Sequence, residues 1–461
     1  MLILFKSLTY NCGIKKEMSC DTAYNLFISC FNKTRSPLNQ QIFCDRLNYL
    51  KKSKCVNCDV TASMDASFEH NLQPISLEIP SLKQTDPNYC QSHVCAILDP
   101  LTTLQQVYRS VDLYEAGLTS APLDQGDCGS CWSFGTVSQL ENNLLLDANK
   151  SIPQVWRQAN LSELFLAVNT KGANKFCDGG NFITAIPWLI DQNQTIELAS
   201  NYPYTAATVA AAKLAYNNSD PSPQLPQKVS AQNEYQPFKT FQLQNMNIAL
   251  TVIFKRKTVQ ETFNATTIAK IKSYLSKGIS VVGSMYVKEN QYKFATYNGQ
   301  GSLEQKCTSY TIDHQIVFVG YGRRGGKDVW MVKDSHGLWA AKGFLYFPIG
   351  ENSFCIEQEA LVTLPKHFDM DSGAHPLLAQ QMQRSWWQLD SDNRTMVAND
   401  GAIAKADPNI GLISGLAVAG GVLVIFVAMV TILKCRQIKR NKMGLGQAGH
   451  HQMIEGRGKV I

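Results

Sequence analysis

Charge is scarce in this chain. Asp, Glu, Lys and Arg make up 17% of its 461 residues, and the net charge is +6. Much of the basic excess crowds into KCRQIKR (434–440) and Lys442. Elsewhere no basic stripe forms, which excludes a nucleic-acid partner. Repeats of useful period are absent, excluding a stacked array. The opening MLILFKSLTY has too short an apolar stretch before Lys6 for a secretory signal, so a start further upstream or a degenerate signal is expected. The pair Cys128 and Cys131 in QGDCGSCWSF (125–134) lacks a second ligand pair at zinc spacing, because Cys177 stands alone. No metal and no cofactor is called for.

What is present is a chain that can pack a core, at 44% hydrophobic residues. One segment, IGLISGLAVAGGVLVIFVAMVTIL (410–433), runs without a charge and is long enough to cross a bilayer as a helix. Basic residues follow it, so the positive-inside bias puts the tail, 434–461, in the cytoplasm. Everything before 410 is then outside the cell or in a lumen, at the surface or in a lysosome-like vesicle. The sequons at Asn32, Asn149, Asn160, Asn193, Asn217, Asn264 and Asn393 all precede the span, consistent with a glycoprotein. GLISG (411–415) has the small-x-x-x-small spacing of helix dimers, so a dimer through the span is compatible with it.

Of the 14 cysteines, Cys435 lies just past the span. Setting it and one nucleophile aside leaves an even number, which suits an oxidised, disulfide-bonded chain. Cys12, Cys20, Cys30, Cys44, Cys55, Cys58, Cys90 and Cys95 all come early and mark 1–105 as a cysteine-rich region. Residues 106–366 mix helix and strand patterning, 367–409 read as a polar stalk, and 205–262, polar and weakly periodic, read as an insertion. SCWSFGTVSQLENNLLLD (130–147) has helical spacing and opens on Ser130, a good cap. ISVVGSMYV (279–287), HQIVFVGYG (314–322) and the start of WMVKDSHG (330–337) read as strands.

A redox reading of Cys128 and Cys131 needs a small thioredoxin-like domain in which the two thiols pair. The nucleophile reading accounts for more residues. Cys131, at the first turn of a helix, gains thiolate character from the helix dipole and the unbonded N–H groups. An acyl-transfer cysteine also needs an imidazole base, a group to orient it and donors for an oxyanion. Gln125 can bring a side-chain amide beside the N–H of Cys131, while His314 opens one strand and Asp334 ends the next.

With these residues in place the chain resembles the papain-like cysteine proteases, the cathepsin family. CGSCW (128–132) has the form C-G-[SA]-C-[WY] of that family's nucleophile. CDGG (177–180), NYPY (201–204), DHQIVFVGYG (313–322) and VKDSHG (332–337) follow in the family's order, over about 106–366. The resemblance implies an α+β, two-lobe fold, with a helical lobe carrying Cys131 and a β-barrel-like lobe carrying His314. It implies a hydrolase acting on peptides or proteins, with Cys131 as nucleophile, His314 as base and later acid, Asp334 as the orienting group and Gln125 as oxyanion donor. Gly179 and Gly180 would be the edge on which the substrate lies as an added strand. Phe182 and Ala360 would line the main specificity pocket and favour a hydrophobic P2 side chain. Cys128 would pair with Cys177, and Cys307 with Cys355.

The chain also departs from the family. Aspartate stands at 334 where asparagine is usual, and histidine at 336 where tryptophan is usual; His336 reads as a loop residue supplying bulk. Cys131 and His314 lie further apart than the family's about 130–150 residues, with 205–262 absorbing the difference. LFISCFNKTRSPLNQQIFCDRLNYLKK (26–52) resembles the helical inhibitory propeptide, and a separate disulfide-stapled binding module is the other reading. A membrane-anchored endopeptidase made as a zymogen is thus expected. The rival is a catalytically weak relative that uses the groove as a receptor or adhesin.

Overall fold

A computed structural model of the chain describes residues 13–31, 33, 35–53, 58–61, 64–65, 97–98, 108–147, 160–170, 174–191, 195–217, 241–242, 249–256, 261–308, 311–337, 339–340, 342–364 and 375–378. All of them fall within the unit Met1–Asn399. The expected span 410–433, the tail, most of the stalk and the sequons at Asn32, Asn149, Asn193 and Asn393 lie outside the described residues. Among the described residues no helix is long and apolar enough to cross a membrane.

Ten strands follow one another along the described chain: β1 (Ile97–Leu98), β2 (Val111–Asp112), β3 (Thr195–Ile196), β4 (Phe241–Gln242), β5 (Ala249–Lys255), β6 (Val281–Met285), β7 (His314–Arg324), β8 (Lys327–Lys333), β9 (Phe344–Pro348) and β10 (Glu359–Leu364). Eight form one sheet in the order β1-β5-β10-β6-β7-β8-β9, with β2 added on β7, and β3 pairs β4 separately. Apart from the parallel β1–β5 pair, the neighbours are antiparallel. The strands expected at 279–287, 314–322 and 330–333 are β6, β7 and the end of β8. Their unbroken apolar runs reflect burial on both faces, since β6 is buried throughout and β7 at all but one position.

The β7–β8 hairpin sets up the site. Arg324 pairs with Lys327 across Gly325 and Gly326, whose φ values of 54° and 82° meet the demand of a tight hairpin for two left-handed residues. At its other end Val317 pairs with Lys333. Beyond Lys333 the chain leaves the ladder, and His336 forms an isolated bridge with Asp124.

The helical part packs around Cys131–Asp147, with Glu163–Asn169 and Phe182–Asp191 against it and Ala206–Asn217 against Glu163–Asn169. Trp132, Val137, Leu140 and Leu145 of the long helix are fully buried. Its polar residues turn toward the sheet. Asn142 Nδ2 donates to the carbonyls of Leu118 and Gly278 at 2.9 Å each, and its Oδ1 accepts the Ser280 N–H at 2.8 Å. Gln139 donates to the Thr363 carbonyl at 3.1 Å. A buried amide is tolerated only when its partners are supplied, and here Leu118, Gly278, Ser280 and Thr363, all outside the helical part, supply them.

Two readings need correction. Residues 205–262 are not a simple insertion: 206–217 is helical and Ala249–Lys255 is β5, paired to β10 inside the main sheet. The polar texture hid a short apolar run, LTVIF, that the sheet completes by pairing. Ser130 does not cap the helix it precedes; its hydroxyl pairs with that of Tyr204 at 2.7 Å.

The N-terminal region has a small core of its own. Helices Cys20–Cys30 and Pro37–Lys52 are capped by Ser19 and Ser36, which accept from Thr22 and Asn39, and Cys20 is bonded to Cys44. They bury Tyr24, Phe27, Phe43, Leu47 and Leu50 between them. The segment that follows docks on the sheet-bearing lobe: the Asp59 N–H donates to the Thr296 carbonyl at 2.7 Å, and Cys58 bridges Tyr297. Tyr49 also meets Tyr292, with ring centroids 6.0 Å apart.

Candidate active site

Cys131 begins its helix and is a free, buried cysteine. Cys128 bonds Cys177 with an S–S distance of 2.04 Å, and Cys307 bonds Cys355 at 2.02 Å. The first bridge ties the loop before the nucleophile to the CDGG turn. There the N–H of Gly129 donates to the Cys177 carbonyl at 2.9 Å. Gly179 has φ 103°, a conformation open to glycine and to few other residues. Gly180 lies against the Trp132 indole, whose Nε1 donates to the Phe176 carbonyl at 3.2 Å.

Gln125 is held from both sides. Its Nε2 donates to the Cys128 carbonyl at 2.8 Å and its Oε1 accepts the Ser335 hydroxyl at 2.5 Å. The amide therefore sits beside the loop leading to Cys131, joined to the residue that follows Asp334. Tyr204 adds a second brace, donating its hydroxyl to the Gln125 carbonyl at 2.9 Å while pairing with Ser130.

His314 is fully buried, and its Nε2 lies 2.7 Å from Asp334 Oδ1. His336 Nδ1 lies 2.8 Å from the other carboxylate oxygen, Oδ2, and Trp339 Nε1 donates to that same oxygen at 2.9 Å. Burial works against the charge of Asp334, but the charge of His336 and the hydrogen bonds of both imidazoles hold it well below the usual carboxylate range. An ionised carboxylate only accepts, so each imidazole nitrogen facing it carries a proton. That assigns the N–H of His314 to Nε2. Nδ1, with no nitrogen or oxygen partner, remains for the thiol of Cys131.

Burial alone would depress the His314 imidazole. The hydrogen bonds and charges of Asp334 and Cys131 outweigh it and push the group up to about 9. The protonated ring is thus favoured over the acid and neutral range. The neighbouring Asp313 shapes the strand edge, accepting the N–H groups of Val287 and Lys288 at 2.8 and 3.0 Å.

His314, Asp334 and His336 place one ligand atom each within 4.8 Å of one another. The proton-bearing nitrogens face the carboxylate, so the trio as built is a hydrogen-bonded cluster and not a set of lone pairs aimed at an ion. Phe182 and Ala360 are both fully buried.

Sequence reasoning missed three parts of this site. Trp339, and His336 as a hydrogen-bonding residue, meet Asp334 only in the folded chain, where the loop after β8 brings both to Oδ2. Lys333 was also missed: it is buried, and its Nζ donates to the hydroxyls of Ser120 and Ser138 at 2.7 and 3.0 Å. Burial lowers its affinity for a proton, while burial and then the charge of Glu141 push nearby Glu163 up to about 8.

A solved structure of digestive procathepsin L 3 from Tenebrio molitor larval midgut superposes with a TM-score of 0.50 at 20% identity, covering 76% of this chain and 100% of that one. The recombinant stem bromelain precursor superposes at 0.51 and 17% identity, covering 75% and 99%. These likenesses support the α+β papain-like fold. Among curated proteins, rat (Rattus norvegicus) cathepsin 7 is 25% identical over 255 residues, 54% of this chain and 63% of its own length. Cathepsin S of Bos taurus is 24% identical over 351 residues, 74% of this chain and 92% of that protein. The chain spans somewhat less than two thirds of the cathepsin 7 length. The family model described as papain family cysteine protease matches residues 107–364, which include Cys131 at its helix start and the His314–Asp334 hairpin. With that match over more than half its length, the chain belongs to the papain family of cysteine proteases.

Proposed function

We propose that the chain is a membrane-anchored cysteine endopeptidase, kept as a zymogen by its N-terminal region, with a preference for a hydrophobic P2 residue. The observation that carries the reading is a free, buried Cys131 at a helix start, interacting with an imidazole whose far nitrogen is fixed by Asp334. The peptide lies along Gly179–Gly180 and presents its carbonyl carbon to the Cys131 thiolate. As the C–S bond forms, the carbonyl π electrons move to oxygen, where Gln125 and the Cys131 N–H are the donors. His314 then gives its Nδ1 proton to the leaving amine as the C–N bond breaks. Water follows: His314 takes one of its protons, the new hydroxyl attacks the thioester, and the acid product departs with the thiolate restored.

The P2 preference rests on the family position of Phe182 and Ala360. Anchoring rests on 410–433, and the luminal or extracellular placement on the sequons and disulfides. Zymogen character is supported by the docking of 58–61 on 295–297 and by the superposition on precursor structures. The receptor or adhesin reading draws on the unusual Asp334 and His336.

Labelling the protein with an epoxide thiol probe at pH 5–6 after proteolytic removal of the N-terminal region, followed by peptide mapping, separates the two readings. A free thiol titrates near about 8.5, so modification confined to Cys131 at that pH marks an activated thiolate. Cys131→Ser is expected to abolish both labelling and peptide cleavage. No labelling, or labelling spread over several cysteines, would favour the receptor.

A further inference from the structure

The Asp334 carboxylate is shared. One oxygen faces His314 Nε2 at 2.7 Å; the other faces His336 Nδ1 at 2.8 Å and Trp339 Nε1 at 2.9 Å. The two imidazole rings lie 4.9 Å apart at 41°, and Phe294 covers both, with centroids 6.2 Å from His314 and 5.7 Å from His336. The Asp334 side chain is fully buried and that of His336 nearly so, with 3% exposed. A buried carboxylate with one imidazole as its sole partner would place its whole charge on that partner. It would then hold His314 as imidazolium so firmly that giving up the proton to a leaving amine becomes unfavourable.

We propose that His336 is a positioning residue for the catalytic pair. With Trp339 it draws off part of the Asp334 charge, so the carboxylate orients His314 without making it too weak an acid. The proposal rests on the reading of the chain as a cysteine peptidase.

The other charged and titratable groups near the cluster are engaged elsewhere or act on His314 directly. Cys131, from its helix, faces His314. Asp313 is turned to the N–H groups of Val287 and Lys288, and Lys333 to Ser120 and Ser138, beside Glu141 and Glu163. Asp124, joined to His336 by a backbone bridge, accepts the Gly126 N–H. From the Gln291–Thr296 helix the group in contact is the apolar Phe294. His336 is therefore the group placed to balance Asp334.

The test is a double-mutant cycle read in two ways on the protein after proteolytic activation: kcat and KM for a peptide substrate, and the pH profile of Cys131 alkylation by iodoacetamide without substrate. His336→Phe keeps a ring of similar size and removes the donor. It is expected to lower kcat about tenfold, the scale of one lost hydrogen bond to a charged group, with KM little changed. The upper limb of the alkylation profile is expected to move to higher pH, because the undivided carboxylate charge stabilises the imidazolium. Asp334→Asn moves that limb down. In the Asp334→Asn background, His336→Phe is expected to cost far less than tenfold. His336→Asn, whose amide nitrogen can stand in for Nδ1, is expected to recover at least half of the lost rate.

Equal penalties in both backgrounds, or an unshifted limb in His336→Phe, would mean that His336 only fills space, and the proposal would fall. Should His336→Phe unfold, His336→Asn and Asp334→Asn decide: an unshifted limb in Asp334→Asn, or an unrecovered rate in a folded His336→Asn, overturns it. Failure of the peptidase reading looks different, since the unmutated chain would then show no preferential alkylation of Cys131.

Discussion

Gly180→Ala tests how tightly the Gly179–Gly180 turn is packed against the helix that opens on Cys131. A Cβ built on Gly180 would lie 2.5 Å from Cε2 of Trp132 and 2.6 Å from both Cδ2 and Nε1. Carbon atoms in contact rest at about 3.5–4.0 Å, so about 1 Å of movement is required. The indole cannot yield easily, because it is fully buried and its Nε1 is bonded to the Phe176 carbonyl. Overpacking of this kind costs about 1–3 kcal/mol, and losing the indole hydrogen bond adds about 1 kcal/mol. For a domain of this size each kcal/mol lowers the unfolding midpoint by about 2–4 °C, so the combined cost of about 2–4 kcal/mol gives an expected drop of about 4–16 °C. Trp132 follows Cys131 directly, so the shift also moves the catalytic turn, and kcat/KM should fall about tenfold or more. Gly350→Ala is the control, since nothing lies within 4 Å of its Cβ and its φ of 82° adds only the backbone cost of about 1–2 kcal/mol. Thermal unfolding and peptide hydrolysis of the two variants give the comparison. If Gly180→Ala melted no lower than Gly350→Ala and kept full kcat/KM, the packing argument would be wrong.

The raised His314 group links stability to pH. Its folded value of about 9 exceeds the ordinary 6.5, so its contribution is complete below pH 6.5 and is lost as pH rises through 9. The depressed Asp334 acts on the other side, contributing above about pH 3.9 and losing that contribution as pH falls further. A melting midpoint that declines between about pH 6.5 and 9, less so in His314→Gln, is therefore expected, and equal declines in both proteins would contradict it. Asn142→Leu should destabilise by about 2–4 kcal/mol in urea denaturation, because it strands the Leu118 and Gly278 carbonyls and the Ser280 N–H in a buried seam. A loss below about 1 kcal/mol would mean that water or another side chain takes over those bonds.

Local pattern carried the sequence a long way where chemistry and periodicity coincide. Cys131 stood out as a candidate nucleophile because it opens an apolar-spaced helix, and that depends on residues within a few turns of one another. The β6, β7 and β8 strands were legible because burial on both faces leaves continuous apolar runs. The short strand β5 was not, since a half-buried strand inside polar surroundings has no run long enough to stand out; pairing with β10 makes it a strand. Ser130 reads locally as a cap, yet Tyr204, distant in sequence, claims its hydroxyl. The orienting role of Asp334 came from the family resemblance, and its sharing between two imidazoles had no sequence signal at all. That sharing depends on the loop that follows β8, which brings His336 and Trp339 to the same carboxylate oxygen. Composition and spacing determined which groups were available for chemistry. Which of them meet was decided by strand register and by burial, because a buried charge must find partners and only the folded chain determines which ones lie within reach.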